Sequence, residues 1–303
     1  MRRILITGAT GFIGSPLWRQ LASCGHIIAC LARRLPEGQD IPENVTFIKG
    51  DLALNESTLC DIKNFNPDVI VHLAWEQIPV FTCKTAMTNL NLAVNFFDKI
   101  LSHMTIETII STGSCWENGD ITGPAPSHLW QPSSDFTWAK YSIYNFLEMR
   151  ATHHGFSLIW ARLFYVYGPG QRSGSLIPTI SEHLIAHDAL PELKSPNTAY
   201  DFVYVNDVTD ALSKMCLKPD LCGNFNIGSG KSFKVSDIAN KLLALHQDKP
   251  AIHPSALRMA NDPEHNMWAD LSALTEQTDW TPKHDIESGL ESVLKSHYQS
   301  AQT

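Results

Sequence analysis

The stretch TGATGFIG, residues 7–14, constrains the fold of this chain more than any other feature. It directly follows the apolar run RRILIT (2–7) and leads into a helix-length segment at 13–23. It contains three glycines at intervals of three: Gly8, Gly11 and Gly14. Glycines at this spacing permit a tight turn, close approach of backbone N–H groups to a diphosphate, and close packing of the helix on the strand. An ordinary strand-to-helix turn is the alternative, but a turn that begins an alternating strand–helix series favours dinucleotide binding.

The first half of the chain alternates between strand-like and helix-like segments. Six runs rich in β-branched and aliphatic residues are predicted strands: 2–7, 26–32, 45–50, 68–74, 107–112 and 157–164. Helix-length segments separate them, among them 13–23, 84–103 and 133–154. Continuous apolar strands separated by helices indicate a parallel sheet covered on both faces. The pattern therefore predicts an α/β fold with a Rossmann-type, doubly wound parallel sheet.

Beyond residue 165 the pattern changes to loops, proline-rich turns and shorter elements. We expect a dinucleotide-binding domain over residues 1–165 and a smaller, mainly substrate-binding lobe over 166–303. No clean linker separates the two, so some later segments are expected to return to the first domain.

Charge and cysteine usage narrow the function classes. The 303 residues carry a formal net charge of −8 and no basic block. That balance argues against nucleic-acid and membrane surfaces as partners, because few cations are available to bind a polyanion.

The seven cysteines form no CxxC pair, and no His or Cys spacing fits zinc, so we expect a reducing compartment and no metal site. Without a signal-like or membrane-spanning apolar segment, a cytoplasmic location is expected.

The second predicted strand ends in two arginines, Arg33 and Arg34. Proteins that bind NAD usually carry an acidic residue about twenty positions after the glycine turn, where it bonds the ribose 2′-hydroxyl. Here no acidic residue precedes Glu37. An arginine can instead pair with the 2′-phosphate of NADP. The pair favours NADP over NAD, although a solvated basic pair at a strand end would look the same.

Several further motifs follow the glycine turn in a consistent order: KGDL (49–52), HLAW (72–75), ISTGSCWE (110–117), RLFYVYGPGQ (162–171), DFVYVNDVTDAL (201–212) and FNIGSG (225–230). Together they resemble the extended short-chain dehydrogenase/reductases, in the branch of NAD(P)-dependent nucleotide-sugar epimerases, dehydratases and 4-keto reductases. The resemblance covers nearly the whole chain. It implies a nucleotide-diphospho-sugar substrate and a homodimer formed through a helix bundle of segments 84–103 and 133–154.

The resemblance also assigns cofactor contacts. The positions it implies are Gly8, Gly11, Phe12, Ile13 and Gly14 in the turn, Asp51 and Leu52 near the adenine, Leu73 and Ala74 near the ribose, and Lys140. Asn89 matches the asparagine that the family has on the following helix.

One catalytic position departs from the family. QPSSDFTWAK (131–140) aligns with the family's P-x-x-x-Y-x-x-x-K, which places Phe136 where the catalytic tyrosine belongs. In the family the lysine, here Lys140, binds the nicotinamide ribose and lowers the pKa of the phenol, which trades a proton with the sugar. Thr112 falls on the catalytic hydroxyl position. Phe136 has no exchangeable proton, so catalysis would need another group as the proton donor or acceptor.

Two substrate positions depart as well. Tyr165 stands where the family has an asparagine and Tyr200 where an arginine is usual, and Arg258 aligns loosely with a diphosphate-binding arginine. Candidate replacement proton donors are Thr112, Ser114, Cys115, Glu117, His128, Glu76 and Tyr165. Tyr165 is the most interesting because it brings a phenol to the same site.

Two hypotheses about function therefore remain from the sequence. The first is an NAD(P)-dependent 4-keto reductase or epimerase of nucleotide sugars with an atypical proton donor. The second is a non-catalytic cofactor-binding homologue that acts as a sensor or assembly partner. The complete set of cofactor and substrate motifs favours the enzyme, and Phe136 favours the homologue.

Overall fold

The computed structural model of the chain describes residues 1–36, 40–247 and 266–301. Its strands are β1 Arg3–Thr7, β2 Ile27–Ala32, β3 Val45–Lys49, β4 Val69–His72, β5 Thr108–Ser114, β6 Gly123–Ala125, β7 Ser157–Leu163, β8 Tyr165–Tyr167, β9 Ala199–Tyr200, β10 Phe202–Tyr204, β11 Gly223–Ile227, β12 Phe233–Lys234 and β13 Asn266–Ala269.

The helices are α1 Gly14–Ser23, α2 Glu56–Phe65, α3 Cys83–Leu101, α4 Asp135–His154, α5 Leu176–His187, α6 Val205–Cys216, α7 Val235–Gln247, α8 Ser272–Thr278 and α9 Ile286–Ala301. A 3₁₀ turn, Cys115–Asn118, follows β5.

The main sheet has the order β11-β7-β5-β4-β1-β2-β3 within the described residues. All six of its strand pairs are parallel, which confirms the predicted doubly wound fold. The chain moves outward in one direction from β1 to β3 and then crosses back to β4 on the other side of β1. A cleft forms at the carboxyl ends of the strands where the direction reverses. The site therefore lies at the ends of β1 and β4.

Helices cover both faces of this sheet. Alternate residues of β1 point to opposite faces, so that Ile4 and Ile6 join a buried cluster with α1 and α6. Leu5 joins a second cluster with α2, α3 and α4. Full burial of one such aliphatic side chain stabilises the fold by about 1.5–3 kcal/mol. The continuous apolar strands are explained by these two covered faces.

The later part of the chain contributes both to the main sheet with its helices and to a separate lobe. Helix α6 and strand β11 belong to the main sheet and its first helical layer. Helices α5, α7 and α9 pack around a separate buried cluster that contains Leu184, Leu242 and Leu290. A small sheet of order β12-β9-β13-β6 completes this lobe.

The predicted strands shift by one or two residues at their ends, and two differences bear on the site. Strand β5 continues to Ser114, beyond the predicted end at 112, so Thr112 lies inside the strand rather than at its end. Helix α2 was not predicted. Its N-cap is Asn55, whose side chain accepts the N–H of Thr58. Its buried residues, Thr58, Ile62 and Phe65, have helical spacing but include only two apolar side chains.

Within the described ranges, no helix combines the length and the apolar character needed to span a bilayer. The same ranges contain no group of three or more His, Cys, Asp or Glu side chains placed to hold a metal ion.

Candidate active site

A cavity of about 840 Å³ opens along the carboxyl ends of the central strands. One end is lined by the glycine turn after β1 and by the residues that follow β2. The other end is lined by the loops that follow β4 and β5, by the start of α4 and by β8. A single cavity therefore joins the predicted dinucleotide site to the predicted catalytic positions.

The glycine turn has no room for side chains at Gly8 and Gly14, because backbone atoms lie where a Cβ would be. Such a turn is what a dinucleotide site requires. Gly8 has a φ of +70°, and a Cβ there would lie 2.9 Å from the backbone nitrogen of Ala74. A Cβ on Gly14 would lie 2.2 Å from the carbonyl oxygen of Gly8. Helix α1 has no side-chain cap at its N-terminus, and Phe12, Ile13 and Gly14 line the cavity at that end. The N–H groups of Ser15 and Leu17 already bond carbonyl oxygens of the turn, so a diphosphate would bind the backbone of the turn itself, at the positive end of the helix.

An ion pair lies at the end of the cavity that contains the glycine turn. Arg33 lines the cavity and its guanidinium lies 3.1 Å from the carboxylate of Glu76, while its side chain is 71% exposed. Arg34 is exposed and is not among the lining residues. Such exposed ion pairs contribute about 0–1 kcal/mol, so Arg33 is able to exchange Glu76 for another anion.

Asn89 fixes the loop after β4. Its side-chain oxygen accepts the backbone N–H of Glu76 at 2.6 Å, and its amide donates to the carbonyl oxygen of Glu76 at 3.2 Å. These bonds hold the strand-end loop with Leu73 and Ala74 against the cavity.

A chain of hydrogen bonds connects α4 to β5, β4 and β1. The Lys140 ammonium donates to the carbonyl oxygen of Thr112 at 2.7 Å. The Thr112 hydroxyl donates to the carbonyl oxygen of His72 at 3.2 Å, and the His72 ring bonds the Thr7 hydroxyl at 2.9 Å. Burial, together with the Lys140 charge, lowers the pKa of His72 to about 3, so this imidazole is neutral.

Phe136 lies in an aromatic cluster instead of a polar site. Its ring centroid is 5.1 Å from that of Trp75 and 5.0 Å from that of Phe81, both edge-to-face. The Lys140 ammonium is 4.4 Å from the Trp75 ring. Burial lowers the pKa of Lys140 to about 8, and the negative charge of Glu117 opposes the fall.

Tyr165 is held by neighbours on both sides. The indole N–H of Trp116 donates to its hydroxyl at 2.8 Å, and the phenol also hydrogen-bonds Tyr200, whose ring centroid lies 4.2 Å away. Burial raises the pKa of Tyr165 far above its usual value. The phenolate form is therefore strongly disfavoured at neutral pH.

The profile of the NAD dependent epimerase/dehydratase family matches residues 4–228. The chain belongs to this family. Membership confirms the resemblance drawn from the motifs and indicates a nicotinamide dinucleotide as the cofactor.

Curated proteins and solved structures of this family are similar over almost the whole chain. The dTDP-L-rhamnose 4-epimerase of Burkholderia thailandensis is 25% identical over 95% of this chain and 93% of its own. The structure of an NAD-dependent NDP-hexosamine 5,6-dehydratase of tunicamycin biosynthesis superimposes with a TM-score of 0.80 at 24% identity, covering 99% of this chain and 98% of its own. The Bacillus cereus UDP-glucuronic acid 4-epimerase bound to NAD has a TM-score of 0.83 at 20% identity, with 98% of both chains covered.

The structure brings most family positions to one cavity. The cavity wall includes Gly8, Gly11, Phe12, Ile13, Gly14, Arg33, Asp51, Leu52, Leu73, Ala74, Thr112, Lys140 and Tyr165. Tyr200 lies behind Tyr165 and is not among the lining residues. Arg258 lies outside the described residues.

The candidate proton donors separate into two groups. Thr112, Ser114, Glu76 and Tyr165 line the cavity, whereas Cys115, Glu117 and His128 do not. The Glu117 carboxylate is fully buried and accepts three hydrogen bonds, from the backbone of Ser114, the indole of Trp160 and the guanidinium of Arg162. It is an anchor of the 3₁₀ turn rather than a proton donor.

Several site residues were not predicted. Phe81 and Trp116 flank the cavity mouth at 48% and 50% exposure, and Trp75 contacts both Phe136 and Lys140. Large aromatic side chains in loops just after strand ends are a signal of a binding surface. Trp75 and Phe81 follow β4, whereas Trp116 follows β5, more than thirty residues later. The sequence does not show that these two loops are neighbours.

Proposed function

We propose that this protein is an NAD(P)-dependent oxidoreductase that acts on a nucleotide-activated sugar, as a 4-keto reductase or epimerase with an atypical proton donor. The observation that carries the proposal is the continuity of one cavity from the glycine turn to Thr112, Lys140 and Tyr165. The names of its relatives, which include a dTDP-L-rhamnose 4-epimerase, support the substrate class.

The residues along the cavity have different proposed roles. When bound, the nicotinamide supplies or removes a hydride. Lys140 binds its ribose in this proposal, and the glycine turn holds its diphosphate. The Thr112 hydroxyl donates a hydrogen bond to the carbonyl oxygen of His72, so its lone pairs are left to accept a hydrogen bond from a sugar hydroxyl. Tyr165, Tyr200 and Arg258 are assigned to the substrate side.

The direct test is turnover of a panel of thymidine-, uridine- and cytidine-diphospho-4-keto-sugars with NADPH and NADH, followed by nicotinamide absorbance and product analysis. We expect reduction or epimerisation of at least one compound. A protein that binds cofactor and consumes none of them would contradict the proposal.

We expect NADP to bind more tightly than NAD because Arg33 reaches the cavity. Arg33→Ala should weaken NADP binding roughly ten- to a hundredfold, since one charge-assisted bond to the 2′-phosphate contributes about 1.5–3 kcal/mol. NAD affinity should not change. Calorimetric titration with both cofactors measures this.

Arg34→Ala is the matched control, since this neighbouring arginine lies away from the cavity wall and should have the smaller effect. Equal affinities for the two cofactors, or tighter NAD binding, would show that the arginine pair is only a solvated strand end.

A non-catalytic homologue is the second candidate, and the apolar packing of Phe136 favours it. The two candidates predict opposite results for Phe136→Tyr. In a rebuilt active site the new hydroxyl lies among the Trp75 and Phe81 rings, where it would need its own partner, and an unpartnered hydroxyl costs about 1–3 kcal/mol. We expect the parent to be active and Phe136→Tyr to change turnover little or to reduce it.

The same panel of keto sugars measures this, with Phe81→Tyr as a control that adds a hydroxyl to the half-exposed neighbour. A silent parent together with an active Phe136→Tyr variant would establish a non-catalytic protein.

We further propose a homodimer through α3 and α4. The two helices pack on each other, and their outer surface exposes Met87, Trp138 and Met149. Exposed apolar side chains on adjacent helices are typical of an interaction surface. Light scattering of the parent and of Trp138→Glu tests this, and a monomeric parent would contradict it.

A further inference from the structure

Lys140 has an unusual environment for a lysine. Its ammonium is buried, donates to the carbonyl oxygen of Thr112 and lies against the face of Trp75. Among the described residues it forms no ion pair. A lysine without a carboxylate retains N–H groups for a ligand, and it lines the cavity.

The groups around Lys140 do not compete for its proton. From β4, His72 is neutral and engaged with Thr7. From the 3₁₀ turn, Glu117 contributes negative charge at a distance, but its oxygens are taken by Ser114, Trp160 and Arg162. From α4 itself, the residue one turn earlier is Phe136, which has no ionisable group.

The other groups with a proton in the cavity are less available. The Tyr165 hydroxyl is bonded by Trp116 and Tyr200. The Thr112 hydroxyl donates to the backbone carbonyl oxygen of His72, and Glu76 is paired with Arg33. The indole N–H of Trp75 also lacks a partner there, but an indole does not release its proton at neutral pH. Lys140 therefore remains as the ionisable group of the described cavity wall that lies beside the family's proton-transfer position and has N–H groups available.

We propose that Lys140 itself is the catalytic acid of this protein, and that it donates a proton directly to the carbonyl oxygen of a keto sugar. The inference rests on the proposed function. In the reductive direction, the carbonyl carbon would take a hydride, with its electron pair, from a bound reduced nicotinamide. The C=O bond becomes a C–O single bond, and the oxygen takes a proton from the ammonium. Lys140 is left as a neutral amine, which water reprotonates.

The chemistry suits reduction at neutral pH. With a pKa of about 8, most Lys140 is protonated at pH 7, and an acid whose pKa lies near the working pH is the most effective donor. The Phe136 ring fills the space of the family's phenol, so that no second acid competes. The rate of reduction should be constant below pH 8 and fall about tenfold per pH unit above it, because the protonated form is the reactive one.

The experiment compares Lys140→Arg, Lys140→Met and the parent. Arginine keeps the charge and donors but does not release its proton. We expect Lys140→Arg to lose about 10²- to 10⁴-fold in kcat while its cofactor Kd changes much less, and Lys140→Met to lose both. Lys99→Arg is the matched control, because Lys99 also donates to a carbonyl oxygen, that of Ala53, outside the cavity.

A second measurement does not depend on turnover. In protein labelled with ¹³C at the lysine ε-carbon, the Lys140 signal is the one missing from Lys140→Arg, and we expect it to titrate near pH 8. A Lys140 signal that titrates only above pH 10 would overturn the proposal.

The outcomes also separate this inference from the proposed function. An active parent whose Lys140→Arg variant keeps its kcat overturns the inference alone. The fall in rate above pH 8 could instead disappear in Tyr165→Phe and persist in Lys140→Arg. That result would identify the Tyr165 phenol as the proton donor and overturn the inference. A parent that turns over no compound of the panel contradicts the proposed function and the inference together.

Discussion

Arg162→Met should lower the free energy of unfolding by about 3–5 kcal/mol, because it leaves the Glu117 carboxylate buried without its cation. Both side chains are fully buried and 2.9 Å apart. The guanidinium also donates to the carbonyl oxygen of Ser127 at 2.7 Å and lies 4.0 Å from the Trp130 ring. Urea denaturation of parent and variant measures the difference.

The stability lost in Arg162→Met should depend on pH. Burial raises the pKa of Glu117, and Arg162 opposes that rise. Without the arginine, the folded-state pKa rises further above the unfolded value, so the folded state binds more protons. Stability then falls as pH rises between those two pKa values. The deficit of Arg162→Met should therefore be smaller at pH 5 than at pH 8.

The double variant Glu117→Gln, Arg162→Met should recover part of the lost stability, because no buried charge remains. Lys295→Met is the control. It removes an exposed ion pair with Glu291, which should change stability by no more than about 1 kcal/mol. If Arg162→Met costs no more than this control, the buried pair does not anchor the 3₁₀ turn.

The second large effect is expected at the glycine turn. Gly14→Ala should weaken binding of both NAD and NADP by at least roughly ten- to a hundredfold, the equivalent of one lost charge-assisted hydrogen bond. The new methyl group would lie 2.2 Å from the carbonyl oxygen of Gly8 and 2.8 Å from the Cα of Ala9. Because both are backbone atoms, the N-terminus of α1 must move away from the diphosphate position.

Calorimetry with both cofactors measures the effect, and circular dichroism checks the fold. Gly11→Ala should cost less, since its nearest atom is at 3.1 Å. Gly25→Ala controls for backbone strain alone: its φ is +80° but its Cβ would meet nothing within 4 Å. Normal cofactor affinity in Gly14→Ala would show that the turn does not hold the diphosphate.

The cofactor half of the site could be predicted from the sequence because its requirements are local. Gly8, Gly11 and Gly14 lie within seven residues, and backbone conformation and helix–strand packing determine which side chains fit there. The same locality explains why the parallel sheet was predicted: strands covered on both faces must be apolar throughout.

The catalytic half was only partly predictable. Helical spacing places Phe136 and Lys140 on one face of α4, and the family resemblance identifies what Phe136 replaces. The aromatic cluster could not be foreseen, because Trp75, Phe81 and Trp116 come from loops that are neighbours only when β4 and β5 pair. Glu117 was a candidate donor in the sequence, and the folded chain shows that its oxygens are occupied by Ser114, Trp160 and Arg162.

The sequence by itself determined the fold class, the place of the glycine turn between β1 and α1 and the absence of the family's tyrosine, since each depends on residue type and short-range spacing. Tertiary structure decided which ionisable groups are paired. Arg33 meets Glu76, Glu117 meets Arg162, and Lys140 meets a carbonyl oxygen and an indole ring. Burial and non-local partners set the proton affinity of each group, and neither is present until the sheet has formed.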